Sequence, residues 1–212
     1  MKIAIITANL SNCDSDYQIV EQYIPECSSV DVIRYNNVNF PLKPSSTPRA
    51  QAKIPKMLGW ELNPNYDYYI WMDSTFEVKR ADSIMWLISL IEGDDFLFFK
   101  HPHRATVKQE YEYLESEILK KNKYIEERYA GEHYNGDWFN TPLQLLAAGV
   151  FMYRNLPEVR AILRNWYYQT IRYNINDQLS LPYVIDSDKL IRVKVIDHNI
   201  LHNKYFIHHN HK

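Results

Sequence analysis

The chain has 212 residues, of which 46% are hydrophobic, so it is long enough to bury the core of one α/β domain, with or without a small lobe. A net charge of −2 without a long basic stripe argues against a nucleic-acid partner, and two cysteines without disulfide or metal-ligand spacing fit a reducing compartment. Because the N-terminal apolar run is too short for a signal peptide and no run is long enough to cross a membrane, we expect one cytoplasmic domain over residues 1–212.

The first predicted element is a buried strand over Lys2–Thr7, which is rich in β-branched residues. Its end offers backbone donors to a nucleotide, which makes three residues candidates for donor binding: Thr7, Ala8 and Asn9. Most α/β domains begin in this way, so the pattern has little specificity by itself. Neither G-x-G-x-x-G nor G-x-x-x-x-G-K-S/T follows, which argues against dinucleotide-binding and P-loop folds.

The next segment predicts a short helix over Tyr17–Ile24, ended by Pro25, and a second strand over Ser29–Tyr35. A longer helix then starts at Thr47 and runs to about Trp60, with a proline inside that should kink or split it. Cationic residues share one broad face of this helix: Arg49, Lys53 and Lys56. Such a face suits a diphosphate, although it is more often simply solvated.

The stretch Tyr66–Val78 contains an unbroken apolar and aromatic run, Tyr68–Met72, which predicts a strand covered on both faces. The run ends abruptly in polar residues: Asp73, Ser74 and Thr75. Ligands of open α/β sheets bind at the carboxyl ends of the strands, and a carboxylate there needs a cation or hydrogen-bond donors as partners. A divalent metal carrying a phosphate is one such partner. The alternative is that Asp73 caps a turn with its side chain.

An apolar helix over Ala81–Glu92, closed by Gly93, precedes another buried strand, Phe96–Lys100. This strand runs directly into side chains that can bind a phosphate or a metal: His101, His103 and Arg104. If the strand is parallel to Tyr68–Met72, the loop lies at the same sheet edge as Asp73. The alternative is an accidental cluster in a surface loop.

A long charged helix is predicted over residues 106–128, followed by a loop over residues 130–141 that suits a lid or substrate wall. Small residues at Ala148 and Gly149, within the apolar stretch Leu145–Tyr153, permit close approach of a ligand or another backbone.

A second long helix is predicted over Asn155–Tyr173, and Asp177-Gln178 opens a shorter one, where the helix dipole by itself explains an acidic residue. The alternating strand Ile191–Ile196 leads to His198 and to a tail with further histidines: His202, His208, His209 and His211. Histidine-rich ends can bind metal, although a disordered surface tail explains them equally well.

In this order, the elements resemble a glycosyltransferase-like family, formerly catalogued as a domain of unknown function and related to plant pectin- and mucilage-associated glycosyltransferases. More distantly they resemble the nucleotide-sugar transferases of the GT-A fold. The resemblance extends from Arg49 to the end of the chain and rests on three motifs: Trp71-Met72-Asp73, His101-Pro102-His103-Arg104 and Asp177-Gln178. It implies an α/β fold with a mixed, mainly parallel sheet flanked by helices, and a nucleotide-diphosphate sugar at the carboxyl edge of that sheet.

The resemblance also implies roles for individual residues. Asp73 matches the first acid of the D-x-D motif, which holds the donor's ribose or a Mn²⁺ or Mg²⁺ ion, while Thr75 stands where the second acid belongs. One carboxylate of the usual metal clamp is therefore missing, and His198 or a tail histidine is the candidate replacement. Further donor-binding residues follow from the motifs, with cations for the diphosphate and small residues under the sugar: Arg49, Lys53, Ser74, His103, Arg104, Ala148 and Gly149.

Asp177 and Gln178 would face the reacting carbon, and Asp177 is the candidate base, ahead of Asp137. The expected activity is transfer of a sugar from a nucleotide-diphosphate donor to a glycan or other hydroxyl acceptor, as in polysaccharide biosynthesis. The missing second acid favours an alternative, a GT-A-like module that binds a nucleotide or glycan without turnover. A metal-dependent hydrolase built on His101 and His103 ranks last, because no H-E-x-x-H element is present.

Overall fold

The computed structural model describes residues 1–10, 17–121, 144–173 and 176–210. Within these ranges the strands are β1 Lys2–Asn9, β2 Ser29–Asn36, β3 Tyr68–Met72, β4 Phe76–Val78, β5 Phe96–Lys100, β6 Leu146–Arg154, β7 Val193–Ile196 and β8 Phe206–His208. The helices there are α1 Pro48–Leu62, α2 Ser83–Ile91, α3 Val107–Lys121, α4 Pro157–Tyr173 and α5 Asp177–Asp186. Asp137, His211 and the predicted loop over residues 130–141 lie outside the described residues, as does the predicted helix beyond residue 121.

The central sheet has six strands in the order β2-β1-β3-β6-β5-β7. β1 is parallel to β2 and β3, and β5 is parallel to β7, while β6 is antiparallel to its neighbours β3 and β5. β3 and β5 therefore run in the same direction, and their carboxyl ends meet the same edge of the sheet. This is the mixed, mainly parallel sheet that the sequence predicted.

Both faces of the sheet are covered, because the side chains of each strand alternate between two hydrophobic clusters. In β3, Tyr69 and Trp71 pack with α1, α4 and α5, whereas Ile70 and Met72 pack with α2 and the C-terminal segment. Residue 73 continues the alternation of Tyr69 and Trp71, so Asp73 belongs to the α1 side of the sheet. Burial on both faces explains why the run is continuously apolar.

Helix α1 is held close to the sheet and is kinked, as its proline predicted. The Thr47 side chain accepts a hydrogen bond from the backbone N–H of Ala50, and Leu58 has non-helical angles three residues after Pro55. A Cβ on Gly59 would lie 2.4 Å from Ile6 Cδ1, so glycine allows α1 to approach β1 this closely. The cationic face of α1 is thereby brought to the carboxyl edge of the sheet.

The predicted helix over Tyr17–Ile24 is wrong, since this segment is not helical in the structure. Ile19 forms a parallel bridge to Val78, and the Val78 N–H donates to the Gln18 carbonyl at 3.0 Å. The backbone of β4 offers these partners, and such distant pairing overrides local helix propensity. The stretch Tyr66–Val78 likewise divides into β3 and β4, which belong to different sheets.

The C-terminal segment is ordered against this second sheet, in which β4 pairs with β8. His209 stacks on Tyr17 with ring centroids 3.9 Å apart, and its Nε2 lies 2.9 Å from Glu77 Oε2. His208 also packs against the chain, with its ring centroid 5.0 Å from that of Phe76. Among the helices that the structure describes, none combines the length and the hydrophobicity that crossing a bilayer requires.

Candidate functional site

Asp73 stands immediately after β3, and its carboxylate is oriented by its neighbours. Its backbone N–H donates to the Gly149 carbonyl at 2.8 Å, and Trp71 Nε1 donates to Asp73 Oδ1 at 2.7 Å. The following turn is closed by the Asp73 carbonyl, which accepts from the Phe76 N–H at 3.0 Å. Among the described contacts, the side chain makes no hydrogen bond that caps the turn, and it remains 40% exposed, so it presents a carboxylate to solvent at the sheet edge.

Two lysines of α1 lie beside this carboxylate and join it to the start of α5. Lys56 Nζ lies 3.5 Å from Asp73 Oδ1 and 2.7 Å from Asp177 Oδ2. Lys53 Nζ donates to the same Asp177 oxygen at 2.9 Å. Lys53, Lys56 and Asp177 are all buried, which makes them the floor beneath the more exposed Asp73. We name these four residues the lysine–aspartate cluster.

Burial and ion pairing shift the pKa values of this cluster in opposite directions. Burial raises the pKa of Asp177, but the ammonium groups of Lys53 and Lys56 outweigh it and hold that pKa below its usual range. Burial likewise opposes the charge of Lys56, yet Asp177 and Asp73 raise its pKa above the ordinary value. Burial lowers the pKa of Lys53 to about 8, because Asp177 only partly offsets it and Lys56 and Arg49 add repulsion. Asp177 and Lys56 are therefore a charged pair at neutral pH.

The start of α5 is fixed by several hydrogen bonds, which in turn fix Asp177. Asn176 caps the helix, accepting from the Gln178 N–H at 3.2 Å. Trp166 Nε1 donates to the Asp177 carbonyl at 2.9 Å, and the hydroxyls of Thr170 and Ser180 lie 3.0 Å apart. α4 thus holds α5 so that its first carboxylate points towards α1.

Gly149 lies opposite Asp73 in the pairing of β3 with β6. A Cβ on Gly149 would lie 3.3 Å from Asp73 Oδ2 and 2.9 Å from Phe76 Cε2. Glycine therefore gives Asp73 and Phe76 the room to occupy their positions. The neighbouring Ala148 is buried, with 1% of its surface exposed, so it has little surface to offer a ligand.

The loop after β5 is built around His101. His101 Nδ1 accepts backbone hydrogen bonds from Arg104 at 3.0 Å and from His103 at 3.3 Å. Only 5% of its side chain is exposed, and burial, followed by repulsion from Arg104 and His103, lowers the pKa of His101 to about 4. His101 is thus a neutral residue that folds the loop, while His103 is exposed and Arg104 is partly exposed.

Arg104 is connected to the lysine–aspartate cluster through buried polar groups. Its Nε donates to Glu110 Oε2, and Asn176 Nδ2 donates to the other oxygen of Glu110 at 3.2 Å. Asn176 directly precedes Asp177 in the chain. The structure therefore places Arg104 at the same sheet edge as Asp73, as the parallel strands predicted, but joins it to Asp177 through Glu110 and Asn176.

The remaining predicted site residues near this edge of the sheet are buried or half-buried. Ile6 pairs with Trp71, so the end of β1 lies level with the end of β3, yet Thr7 and Ala8 are only 4% and 8% exposed. The more accessible predicted residues at this edge are half-buried: Asn9, Arg49, Ser74 and Gln178.

His198 lies on the α2 side of the sheet, with its ring centroid 5.7 Å from that of Trp86, whereas Asp73 continues the α1 side. Within the part of the chain that the structure describes, no group of three or more His, Cys, Asp or Glu side chains can hold a metal ion. Thr75 is 1% exposed, so a carboxylate at this motif position would be desolvated. The described residues alone therefore do not fit a metal site, and metal binding by Asp73 and His198 stays a prediction.

Lys56 was predicted to lie on the cationic face of α1 but not in the site, and Glu110 and Asn176 were not predicted as site residues. Lys56 follows Lys53 by three residues on the same helical face, so the spacing could have identified it. Glu110 and Asn176 gave no comparable signal, because their role depends on α3 packing beside α5.

Comparison with known proteins adds a family and a fold. A family model described as "TOD1/MUCI70, glycosyltransferase-like domain" matches residues 30–209. A sequence comparison with curated proteins finds no match.

Mouse xyloside xylosyltransferase 1, in its apo form, is a similar solved structure with a TM-score of 0.50 and 9% identity, covering 93% of this chain and 86% of that chain. A glycosyltransferase involved in glycosylation of the major capsid of PBCV-1 gives a TM-score of 0.47 at 11% identity, covering 97% and 91%. Glucosyl-3-phosphoglycerate synthase from Mycobacterium tuberculosis, solved with Mn²⁺, UDP and phosphoglyceric acid, gives 0.46 at 11% identity, covering 100% and 72%. At 9% identity, the xylosyltransferase shows only the fold, which is the GT-A-like α/β fold that the sequence resemblance implied.

Proposed function

This chain belongs to the TOD1/MUCI70 glycosyltransferase-like domain family, and we propose that it transfers a sugar from a nucleotide-diphosphate donor to a hydroxyl group of a glycan or smaller acceptor. The donor binds at the carboxyl edge of the sheet, beside Asp73. The observation that supports this most is an oriented, partly exposed carboxylate at the end of β3 with the buried ammonium group of Lys56 3.5 Å away.

Asp73 has the geometry of a hydrogen-bond acceptor for the donor's hydroxyl groups. Among the described contacts, Trp71 and Lys56 both approach Oδ1, while Oδ2 faces Gly149, which is only half-buried. A carboxylate held in this way accepts charge-assisted hydrogen bonds from ribose or sugar hydroxyls. This role uses one acid, so it agrees with the presence of Thr75 at the third motif position.

The cations of α1 suit the chemistry of the leaving group. Sugar transfer passes through an oxocarbenium-like state, and negative charge grows on the departing diphosphate as the bond breaks. Fixed positive charge near that diphosphate stabilises the transition state more than the ground state. We assign the direct contact to Arg49, which is less buried than the lysines and close enough to Lys53 to repel its charge. Lys53 and Lys56 are buried and act indirectly, through their ion pairs within the lysine–aspartate cluster.

The cluster favours a positioning role for Asp177. A base must accept a proton, whereas the two lysines hold the pKa of Asp177 low. Asp177 instead fixes both ammonium groups, and Gln178, which is less buried, is the member of the pair that faces the sugar. The role of Asp177 as base stays a prediction that this geometry does not favour.

This same observation favours a second candidate function. If Asp177 does not act as a base, Asp73 is the partly exposed carboxylate that the described residues supply to the site. A module that binds a nucleotide sugar without turnover requires no carboxylate beyond this one. Release of free nucleoside diphosphate in the presence of an acceptor distinguishes the enzyme from the binding module.

The proposal is tested by thermal unfolding with UDP- and GDP-sugars, each with and without Mn²⁺. A ligand at a hundredfold excess over its Kd adds about 2.7 kcal/mol to the free energy of unfolding, which corresponds to roughly 5–10 °C for a chain of this size. Asp73→Asn should strongly reduce this shift, while Asp186→Asn, at an exposed site at the end of α5, should keep it. No shift with any of these ligands would refute donor binding.

A further inference from the structure

A pocket of about 400 Å³ lies where the loop after β5 faces the chain entering β6, lined by residues that include Lys100, His101, His103, Arg104 and Gln144. We propose that this pocket is the acceptor subsite and that it binds its acceptor through an anionic group, either a carboxylate or a phosphate. The assignment as an acceptor subsite rests on the proposed function. It also moves His103 and Arg104 from the donor, where the family resemblance placed them, to the acceptor.

The lining of the pocket has one sign of charge. Among the described lining residues, Lys100 and Arg104 are cations, and none is an aspartate or a glutamate. Lys100 Nζ pairs with Asp197 at 2.8 Å, but 46% of the Lys100 side chain remains exposed. The described lining residues therefore present positive charge to an anion that enters the pocket.

Two contacts fix the orientation of the Arg104 guanidinium group in the pocket. Its Nε donates to Glu110, and its guanidinium carbon lies 4.1 Å from the centre of the Tyr113 ring. Glu110 is 3% exposed and its second oxygen is taken by Asn176, so it acts as a buried anchor behind the guanidinium. Within the described contacts this leaves the Nη groups of Arg104 for a ligand, and a fixed guanidinium matches a carboxylate or phosphate well.

The walls of the pocket are tied to the sheet, so the site is formed before a ligand arrives. The His101 N–H donates to the Leu145 carbonyl at 3.2 Å, and the Leu145 N–H donates to the Ala105 carbonyl at 2.8 Å. The two backbone hydrogen bonds to His101 Nδ1 close the loop between them. A preformed site loses little conformational entropy on binding.

The position of the pocket along the sheet edge suits an acceptor next to a donor. One strand, β6, separates β3 from β5, so the two strands lie about 10 Å apart across the sheet, or two strand spacings. Their last residues, Met72 and Lys100, pair with Val150 and Leu146 of β6, so β5 extends further along β6 than β3 does. Asp73, the carboxylate proposed to bind the donor, directly follows β3, and the pocket begins at the end of β5. The two sites are thus distinct but adjacent, and the Glu110–Asn176 contact connects Arg104 to the lysine–aspartate cluster.

The inference is tested by titrating the full chain, by calorimetry or NMR, with three sugars that differ in one group: glucose, glucuronate and glucose 6-phosphate. We expect saturable binding of glucuronate, glucose 6-phosphate or both, with at least tenfold weaker binding of glucose; the two anions identify which group the pocket prefers. Arg104→Gln should weaken anion binding about tenfold or more, as expected for a charge-assisted hydrogen bond. The matched control Arg164→Gln, on the exposed face of α4, should leave it unchanged.

Lys100→Gln provides a second variant, because it removes a pocket cation without leaving Glu110 buried and unpaired. It should weaken anion binding even if Arg104→Gln fails to fold. Both variants should bind UDP and GDP as the unaltered chain does. The inference is overturned if all three sugars bind alike or not at all, or if UDP or GDP affinity falls together with anion affinity, because the pocket would then hold the donor. Failure of the unaltered chain to bind any nucleotide would instead count against the proposed function.

Discussion

Lys56 Nζ lies 2.7 Å from Asp177 Oδ2, although the two residues are on different helices and far apart in the chain. Their side chains are 6% and 7% exposed, so this ion pair is almost fully withdrawn from water. A buried pair of this kind is strongly destabilising when one partner is removed, because the other charge remains desolvated. The pair therefore supports the orientation of Asp73 and the attachment of α5 to α1.

Replacing Lys56 by methionine should destabilise the protein by about 3 kcal/mol, at the lower end of the range for a broken buried pair because Lys53 still contacts Asp177. Urea-induced unfolding measures this change. Arg164→Met is the matched control: it breaks an exposed contact to Glu61 and should change the free energy of unfolding by less than about 1 kcal/mol. Equal effects of the two substitutions would contradict the description of the cluster as a buried ion pair.

Substituting Gly149 by alanine should weaken donor binding without removing any functional group. The new Cβ would lie 3.3 Å from Asp73 Oδ2 and 2.9 Å from Phe76 Cε2, so the carboxylate or the ring must shift. We expect overpacking to cost about 1–3 kcal/mol of stability. The affinity for the nucleotide sugar that stabilises the unaltered chain most should also fall.

A double-mutant cycle separates these effects of Gly149→Ala. If the substitution acts through Asp73, its effect on donor affinity should disappear in the Asp73→Asn background. Additive effects of the two substitutions would show that Gly149 and Asp73 contribute independently.

The neutral state of His101 predicts a loss of stability in mild acid. Its pKa is about 4 in the folded chain, below the ordinary value of 6.5, so the unfolded chain binds a proton more readily between these pH values. The stabilising contribution of neutral His101 is complete above pH 6.5 and is lost as the pH falls towards 4. The free energy of unfolding, measured by urea titration across this range, should therefore decrease on acidification.

His101→Asn tests this assignment, because the asparagine Oδ1 can accept backbone hydrogen bonds as His101 Nδ1 does but cannot be protonated. The variant should have a flatter pH profile between pH 6.5 and 4. His202→Asn, outside the described site, should keep the slope of the unaltered chain. An unchanged slope in His101→Asn would assign the acid sensitivity to other groups.

Local sequence patterns were sufficient for most of the elements that form the sheet edge. The apolar runs Tyr68–Met72 and Phe96–Lys100 became β3 and β5 with those bounds, because a strand buried on both faces requires continuous hydrophobicity. The cap at Thr47 and the kink after Pro55 also followed from local backbone chemistry. These features depend on residues close together in the chain, so a single sequence carries them.

What only the tertiary structure decided is the set of partners of each charged side chain. Lys53 and Asp177 are 124 positions apart, and their contact exists because α1 and α5 meet at one end of the sheet. The same dependence on distant packing made Ile19 pair with Val78 in place of the predicted helix. Local pattern determines which segments are buried, whereas the protonation and orientation of a buried polar group depend on neighbours that the fold brings from elsewhere.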